Sequence, residues 1–192
     1  KDQVGIRYNE AARHTITTGW DVIDDLMDGG LAPGELGVVM APAGIGKSWL
    51  LINIAANAVK AGKTVIHYTL ELNQNYVGQR YDSVLTGIPA QNLKNYQEDI
   101  EEKMKTIPGE LVIKYYPTKS TGVMGIKAHI EKSAMLGKPP DLVIVDYADL
   151  LKVNNKKDKH EALEELYEDL RGMAGEYNIP VWTASQAGRA SL

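Results

Sequence analysis

The chain of 192 residues contains no cysteine. That excludes a disulfide framework, a thiolate metal site and a cysteine nucleophile, and it suits a reducing compartment. No apolar run approaches the roughly 18 to 20 residues that a membrane span requires, and no charged-then-apolar segment opens the chain, so a soluble, unsecreted domain is expected. An excess of positive charge is lacking as well, because 21 Lys and Arg face 25 Asp and Glu for a formal net charge of −4. Binding of nucleic acid by bulk charge is thereby excluded, and any such contact has to come from a local basic patch. Phenylalanine is absent too, against ten tyrosines, and the sequence offers no physical reason for it. What is present is ordinary for a globular domain. Hydrophobic residues make up 44% and charged residues 24%, which leaves no room for a disordered, collagenous or low-complexity reading. The length suits one domain able to bury a core without staples.

The chain opens on Lys1, and Leu192 follows closely on an apolar run that reads as a strand, so both ends are expected to be boundaries within a longer protein. Residues 1–17 read as an amino-terminal lead-in and 18–192 as one core cut short at its carboxyl end. Within the core, strands alternate with helices. LGVVMA at 36–41 reads as a short buried strand, and an apolar helix runs from about Lys47 to Lys60 and stops at Gly62. TVIHYTLE at 64–71 is the second strand. Val77, Tyr81, Val84 and Leu85 then mark one face of a helix that breaks at Gly87 and Pro89. LVIKYY at 111–116 is the third strand, followed by a helix with Val123, Ile126, Ile130 and Ala134 on one face. DLVIVDYADLL at 141–151 is the most strand-like stretch, its continuous apolar run suiting a central parallel strand. A polar loop at 152–159 leads to an amphipathic helix with Leu163, Leu166, Tyr167, Leu170, Met173 and Tyr177 inward, and IPVWTAS at 179–185 is the fifth strand. Strands separated by helices imply parallel pairing through right-handed crossovers, hence a doubly wound α/β sheet with ligands beyond the carboxyl ends of the strands.

The chemistry begins after the first strand. Ala41-Pro42-Ala43-Gly44-Ile45-Gly46-Lys47-Ser48 is the P-loop pattern with Ala where the first Gly usually stands. Gly44 and Gly46 let backbone N–H groups turn inward around phosphate oxygens, and the helix that follows presents its positive end. Lys47 reaches the β and γ phosphates and Ser48 can ligate Mg²⁺. Lys47 and Asp146 are 99 residues apart, room for about three βα units at roughly 30 residues each. Asp146, at the end of the fourth strand, is the natural Mg²⁺ carboxylate, or else a helix-cap or salt-bridge partner. Glu71 ends the second strand, where it would either orient and deprotonate an attacking water or stand as a solvated edge carboxylate. Gln186 ends the fifth strand and can hydrogen-bond a γ-phosphate.

Taken together, these residues resemble the RecA-like motor domain of DnaB-type hexameric replicative helicases, most closely the phage-encoded branch. TGWDVIDDLMDGGLAPGEL at 18–36 resembles the segment that precedes the family's P-loop. YTLEL at 68–72, with Arg80 downstream, is similar to its second motif, and DYADLL at 146–151 to its Asp-Tyr-Leu-Gln-Leu motif, from which Ala148 and Asp149 depart. TASQAGR at 183–189 matches Ser-Gln-x-x-Arg. The resemblance implies an ATP- and Mg²⁺-dependent P-loop ATPase and DNA helicase working as a hexameric ring on single-stranded DNA in the cytoplasm of a bacterial or phage-infected cell, with primase and a helicase loader as partners. It makes Glu71 the catalytic base, Gln186 the γ-phosphate sensor, and Lys47 a catalytic as well as a binding group. Ala43, Gly44, Ile45, Gly46, Lys47, Ser48, Trp49 and Arg80 become the nucleotide-binding set, with Ser48 and Asp146 on the metal. It also implies that the arginine finger and the principal DNA loop lie beyond Leu192.

For DNA contact the chain offers the loop after Asp146, with Lys152, Lys156, Lys157 and Lys159, together with Arg189. It has no aromatic residue, so it can track phosphates but not stack on bases, and a solvated lysine run explains it equally well. Histidines 14, 67, 129 and 160 lack metal-ligand spacing and read as structural or surface residues. Trp49 reads as packing more than as an adenine platform, and Asp24, Asp25 and Asp28 as a solvated turn. Two other readings stay open: a RecA-type recombinase or clock-like ATPase on the same core, and a nucleotide-dependent assembly switch that does not translocate.

Overall fold

The computed structural model describes residues 14–153 and 158–186. Five strands, β1 (Leu36–Ala41), β2 (Thr64–Thr69), β3 (Glu110–Tyr115), β4 (Leu142–Asp146) and β5 (Val181–Gln186), form one sheet in the order β1-β5-β4-β2-β3. Every pairing is parallel, so all five carboxyl ends lie along one rim. The helices are α1 (Asp21–Leu26), α2 (Lys47–Lys60), α3 (Gln74–Thr86), α4 (Gln97–Lys105), α5 (Val123–Met135) and α6 (Lys159–Tyr177), with 3-10 turns at Ala90–Asn95 and Ala148–Leu150. Among the described residues no helix is long and apolar enough to cross a membrane.

Alternation along each strand divides the core in two. Leu142 and Ile144 of β4 join Val65 and Trp182 under α2 and α3. Val143 and Val145 point the other way and join Ile66, Tyr68 and Val181 under α5 and α6. β4 is buried along its whole length, as a parallel strand covered on both faces must be. The helix following β1 has the bounds that its apolar spacing predicts, and it and α3 end against Gly62 and Gly87, both at positive φ.

The structure corrects the sequence reading at four places. β2 stops at Thr69, so Glu71 lies two residues past it in a bend. The fourth strand stops at Asp146, and 148–150 coil into a 3-10 turn with Ala148 and Leu151 buried; apolar burial there belongs to a turn, which periodicity cannot separate from a strand. Helix α4 and the 3-10 turn before it were not anticipated, nor was α1, which holds Asp24 and Asp25. Asp24 is no solvated turn residue: its carboxylate accepts from the Thr17 and Thr18 hydroxyls and from Thr18 N. An antiparallel bridge between Ile16 and Leu31 closes the loop that carries it.

Candidate functional site

The parallel sheet makes the site by register. Gln186 is the pairing partner of Ala41, where β1 gives way to the P-loop, and Asp146 is the partner of Thr69. Past the ladder, Leu70 N–H still bonds the Asp146 carbonyl at 2.9 Å, which keeps the Glu71 bend beside the end of β4. Four strand ends thus converge on one cleft of about 300 Å³, lined by Ala43, Gly44, Gly46, Lys47, Ser48, Trp49, Glu71, Arg80, Tyr147 and Gln186, with Asp146 buried behind Ser48 rather than on its lining. Ile45, also expected in the set, turns its side chain to solvent.

In the loop, Gly44 and Gly46 have φ of +80° and +101°, and a Cβ on either would meet no protein atom within 4 Å. Lys47 Nζ donates to the carbonyls of Ala41 (2.8 Å) and Pro42 (2.9 Å) and lies 5.9 Å from the Tyr147 ring centre. Ser48 Oγ donates to Asp146 Oδ1 at 3.1 Å across 98 residues of sequence. A hydroxyl and a carboxylate converging at a P-loop form the hard oxygen pair that suits Mg²⁺ together with phosphate oxygens. Among the described residues, no cluster of three or more His, Asp or Glu offers an alternative metal site.

Behind the carboxylate stands His67. It is fully buried, its Nδ1 lies 2.7 Å from the Tyr81 hydroxyl, and its Nε2 is 3.8 Å from Asp146 Oδ2 without a hydrogen-bond partner. Burial, and then the charge on Asp146, push the Tyr81 phenol well above its usual value. Tyr81 OH and Nδ1 share a hydrogen bond whose direction follows the imidazole tautomer, and Nε2 faces the carboxylate. His67 thus lies buried directly behind the Asp146 carboxylate. His129 likewise pairs with Tyr68 OH at 2.9 Å, away from the cleft.

Trp49 is 38% exposed rather than packed away, and the Arg80 guanidinium sits 4.9 Å from its ring centre, cation–π distance. The lysine loop is not gathered with these residues. Lys152 is exposed and lines a different groove, between α5 and α6. Lys156, Lys157, Arg189 and the Lys159 side chain lie outside the described residues.

Three residues went unremarked as site residues in the sequence. Tyr147 lines the cleft, and its hydroxyl donates to Gln186 Oε1 at 3.3 Å. Burial first, then the charges of Glu71, Asp149 and Asp146, push its phenol up, so it remains a donor at neutral pH. Thr183 donates to Val145 O (2.7 Å) and accepts from Ala148 N (3.1 Å). Asp149, noted only as a departure from a motif, bonds Tyr167, Ser185 and Gln186.

Residues 15–191 match the family described as DnaB-like helicase C terminal domain. The chain is 24% identical over 181 residues to the DnaB-like replicative helicase of Enterobacteria phage T4, covering 88% of this chain and 38% of that protein. With the replicative DNA helicase DnaB of Mycoplasma genitalium the identity is 30% over 186 residues, covering 91% and 39%. The chain therefore spans under two-fifths of the length of these relatives. Among solved structures, one described as an ATPase domain superposes with a TM-score of 0.80 at 18% identity, over 98% of this chain and 70% of that one. A DnaB-like replicative helicase, solved in a study of its interactions with primase, gives 0.79 at 19% over 98% and 48%. The fold is that of a RecA-like ATPase domain.

Proposed function

The chain belongs to the DnaB-like helicase C-terminal domain family, and from that premise we propose that it is the ATP-hydrolysing motor of a replicative DNA helicase. In this reading the full-length protein assembles as a hexameric ring in the cytoplasm, translocates on single-stranded DNA, unwinds duplex, and works with primase and a loader. The observation that carries the catalytic part is the 3.1 Å bond from Ser48 to Asp146, with Glu71 and Gln186 at the same cleft.

The amides around Gly44 and Gly46 and the end of α2 bind the phosphates of ATP, and Lys47 exchanges its carbonyl partners for β- and γ-phosphate oxygens. Ser48 and Asp146 would hold Mg²⁺, which would supply charge neutralisation at the phosphates. Glu71 orients a water in line with the γ-phosphorus and accepts its proton as the new P–O bond forms and the bond to the bridging oxygen breaks. Gln186 hydrogen-bonds the γ-phosphate, and Arg80 on Trp49 closes the mouth of the cleft. Lys152, Lys156, Lys157, Lys159 and Arg189 supply phosphate contacts to the DNA strand.

The test uses the full-length protein. Lys47→Ala abolishes ATP binding, whereas Glu71→Gln binds ATP and does not hydrolyse it; equal loss of binding in both removes Glu71 from the role of base. Strand displacement and stimulation of hydrolysis by single-stranded DNA distinguish a motor from an assembly switch, which would show neither.

A further inference from the structure

Gln186, at the end of β5 and exposed at the rim, has one weak side-chain tie among the described residues, to Tyr147 at 3.3 Å. A side chain that must meet a phosphate accurately needs its backbone fixed. The sheet does that on one side only. β5 stays paired with β1 as far as Gln186, but its pairing with β4 ends at Thr183, because β4 turns away into the 148–150 coil. Among the described residues, no strand lies on the β4 side of β5 beyond Thr183.

The Asp149 carboxylate fills that side. Oδ2 accepts from Gln186 N at 3.0 Å and from Ser185 Oγ at 3.2 Å, and Oδ1 accepts from Tyr167 OH of α6 at 2.8 Å. The carboxylate is held in turn. Ala148 N–H is bonded to Thr183, and Lys119 Nζ donates to the carbonyls of Asp149 (2.6 Å) and Leu151 (2.8 Å). The carboxylate accepts at both oxygens, whereas an amide in its place would accept at one.

We propose that Asp149 is a positioning residue for ATP hydrolysis: it continues the ladder past the end of β4 and fixes Gln186 for its contact with the γ-phosphate. The proposal rests on the reading of Gln186 as γ-phosphate sensor. The kinetics of DNA-stimulated ATP hydrolysis by the full-length protein test both, using Asp149→Asn, Gln186→Ala and the double variant. Asp149→Asn keeps shape but loses an acceptor, and its expected effect is a kcat about tenfold lower with KM changed less than about twofold. The double variant is expected to be no slower than Gln186→Ala alone, since a displaced backbone matters only while the amide is there. Unchanged kcat in Asp149→Asn beside a slow Gln186→Ala overturns the proposal and spares the sensor reading, as does an additive double variant. Unchanged kcat in Gln186→Ala overturns the sensor reading and the proposal with it. If Asp149→Asn fails to fold, Tyr167→Phe removes the shorter of two donors to Oδ1, the other being Ser185 Oγ at 3.3 Å. It is expected to lower kcat about two- to fivefold at unchanged KM, with the same non-additivity toward Gln186→Ala; unchanged kcat in that variant overturns the proposal.

Discussion

Replacing Thr183 by valine isolates one buried hydroxyl at the joint between β4, its 3-10 turn and β5. Thr183 and Ala148 are both fully buried, and the hydroxyl donates to Val145 O while accepting from Ala148 N. Valine keeps the shape, so no cavity opens; what is lost is the partner of a donor that water cannot reach. Leaving that N–H unsatisfied costs about 1–3 kcal/mol and the lost donation to the carbonyl about 0.5–1 kcal/mol. The buried methyl and the better strand propensity of valine return about 1 kcal/mol, for a net loss near 2 kcal/mol. Thr183→Ser keeps both bonds and loses a methyl, at about 1 kcal/mol. Urea denaturation should therefore rank wild type above Ser above Val, at unchanged m-value, with the Val melting point about 4–8 °C below wild type. A valine variant at least as stable as the serine variant would refute the assignment of the hydroxyl as the support of that turn.

Three further outcomes are expected. Burial raises the Asp24 carboxyl, but the hydrogen bonds from Thr17, Thr18 and Gly19 outweigh it and leave its pKa below the usual value; the advantage of wild type over Asp24→Asn in denaturation should hold at neutral pH, shrink below about pH 4 and vanish beneath the depressed pKa. A difference independent of pH contradicts this. Arg80→Ala, which strips the cation from Trp49, should weaken binding of a fluorescent ATP analogue about three- to tenfold with little change in melting point; unaltered affinity removes Arg80 from the site. Gly37→Ala drives a Cβ into the Trp182 ring of the next strand and should cost about 1–3 kcal/mol by overpacking, with an unchanged urea midpoint as the contrary result.

The sheet was legible because its strands are apolar runs between helices of clear period, and the P-loop because its residue types are tied to a local strand-turn-helix context. Helices α1 and α4 were not, since neither buries a residue and a helix without a buried stripe leaves no period to read. DYADLL read as strand because Ala148 and Leu151 are buried in a turn as they would be in a ladder. The grouping of Lys47, Ser48, Glu71, Asp146 and Gln186 followed from strand ends sharing a rim. Tyr147, Asp149, Thr183 and His67 owe their places to partners 14 to 39 residues away for all but the contact of His67 with Asp146, and such pairings leave no local pattern.

Gly44 and Gly46 illustrate a separation that matters for mutational surveys. An L-alanine at either collides with nothing in the protein, and its penalty is purely torsional, about 1–2 kcal/mol. The chain sheds such a penalty by rotating a peptide or two, so a survey scored by heat resistance would pass these replacements. Under the proposed reading, one scored by triphosphate capture would discard them, because the rotated peptides are those proposed to grip the anion.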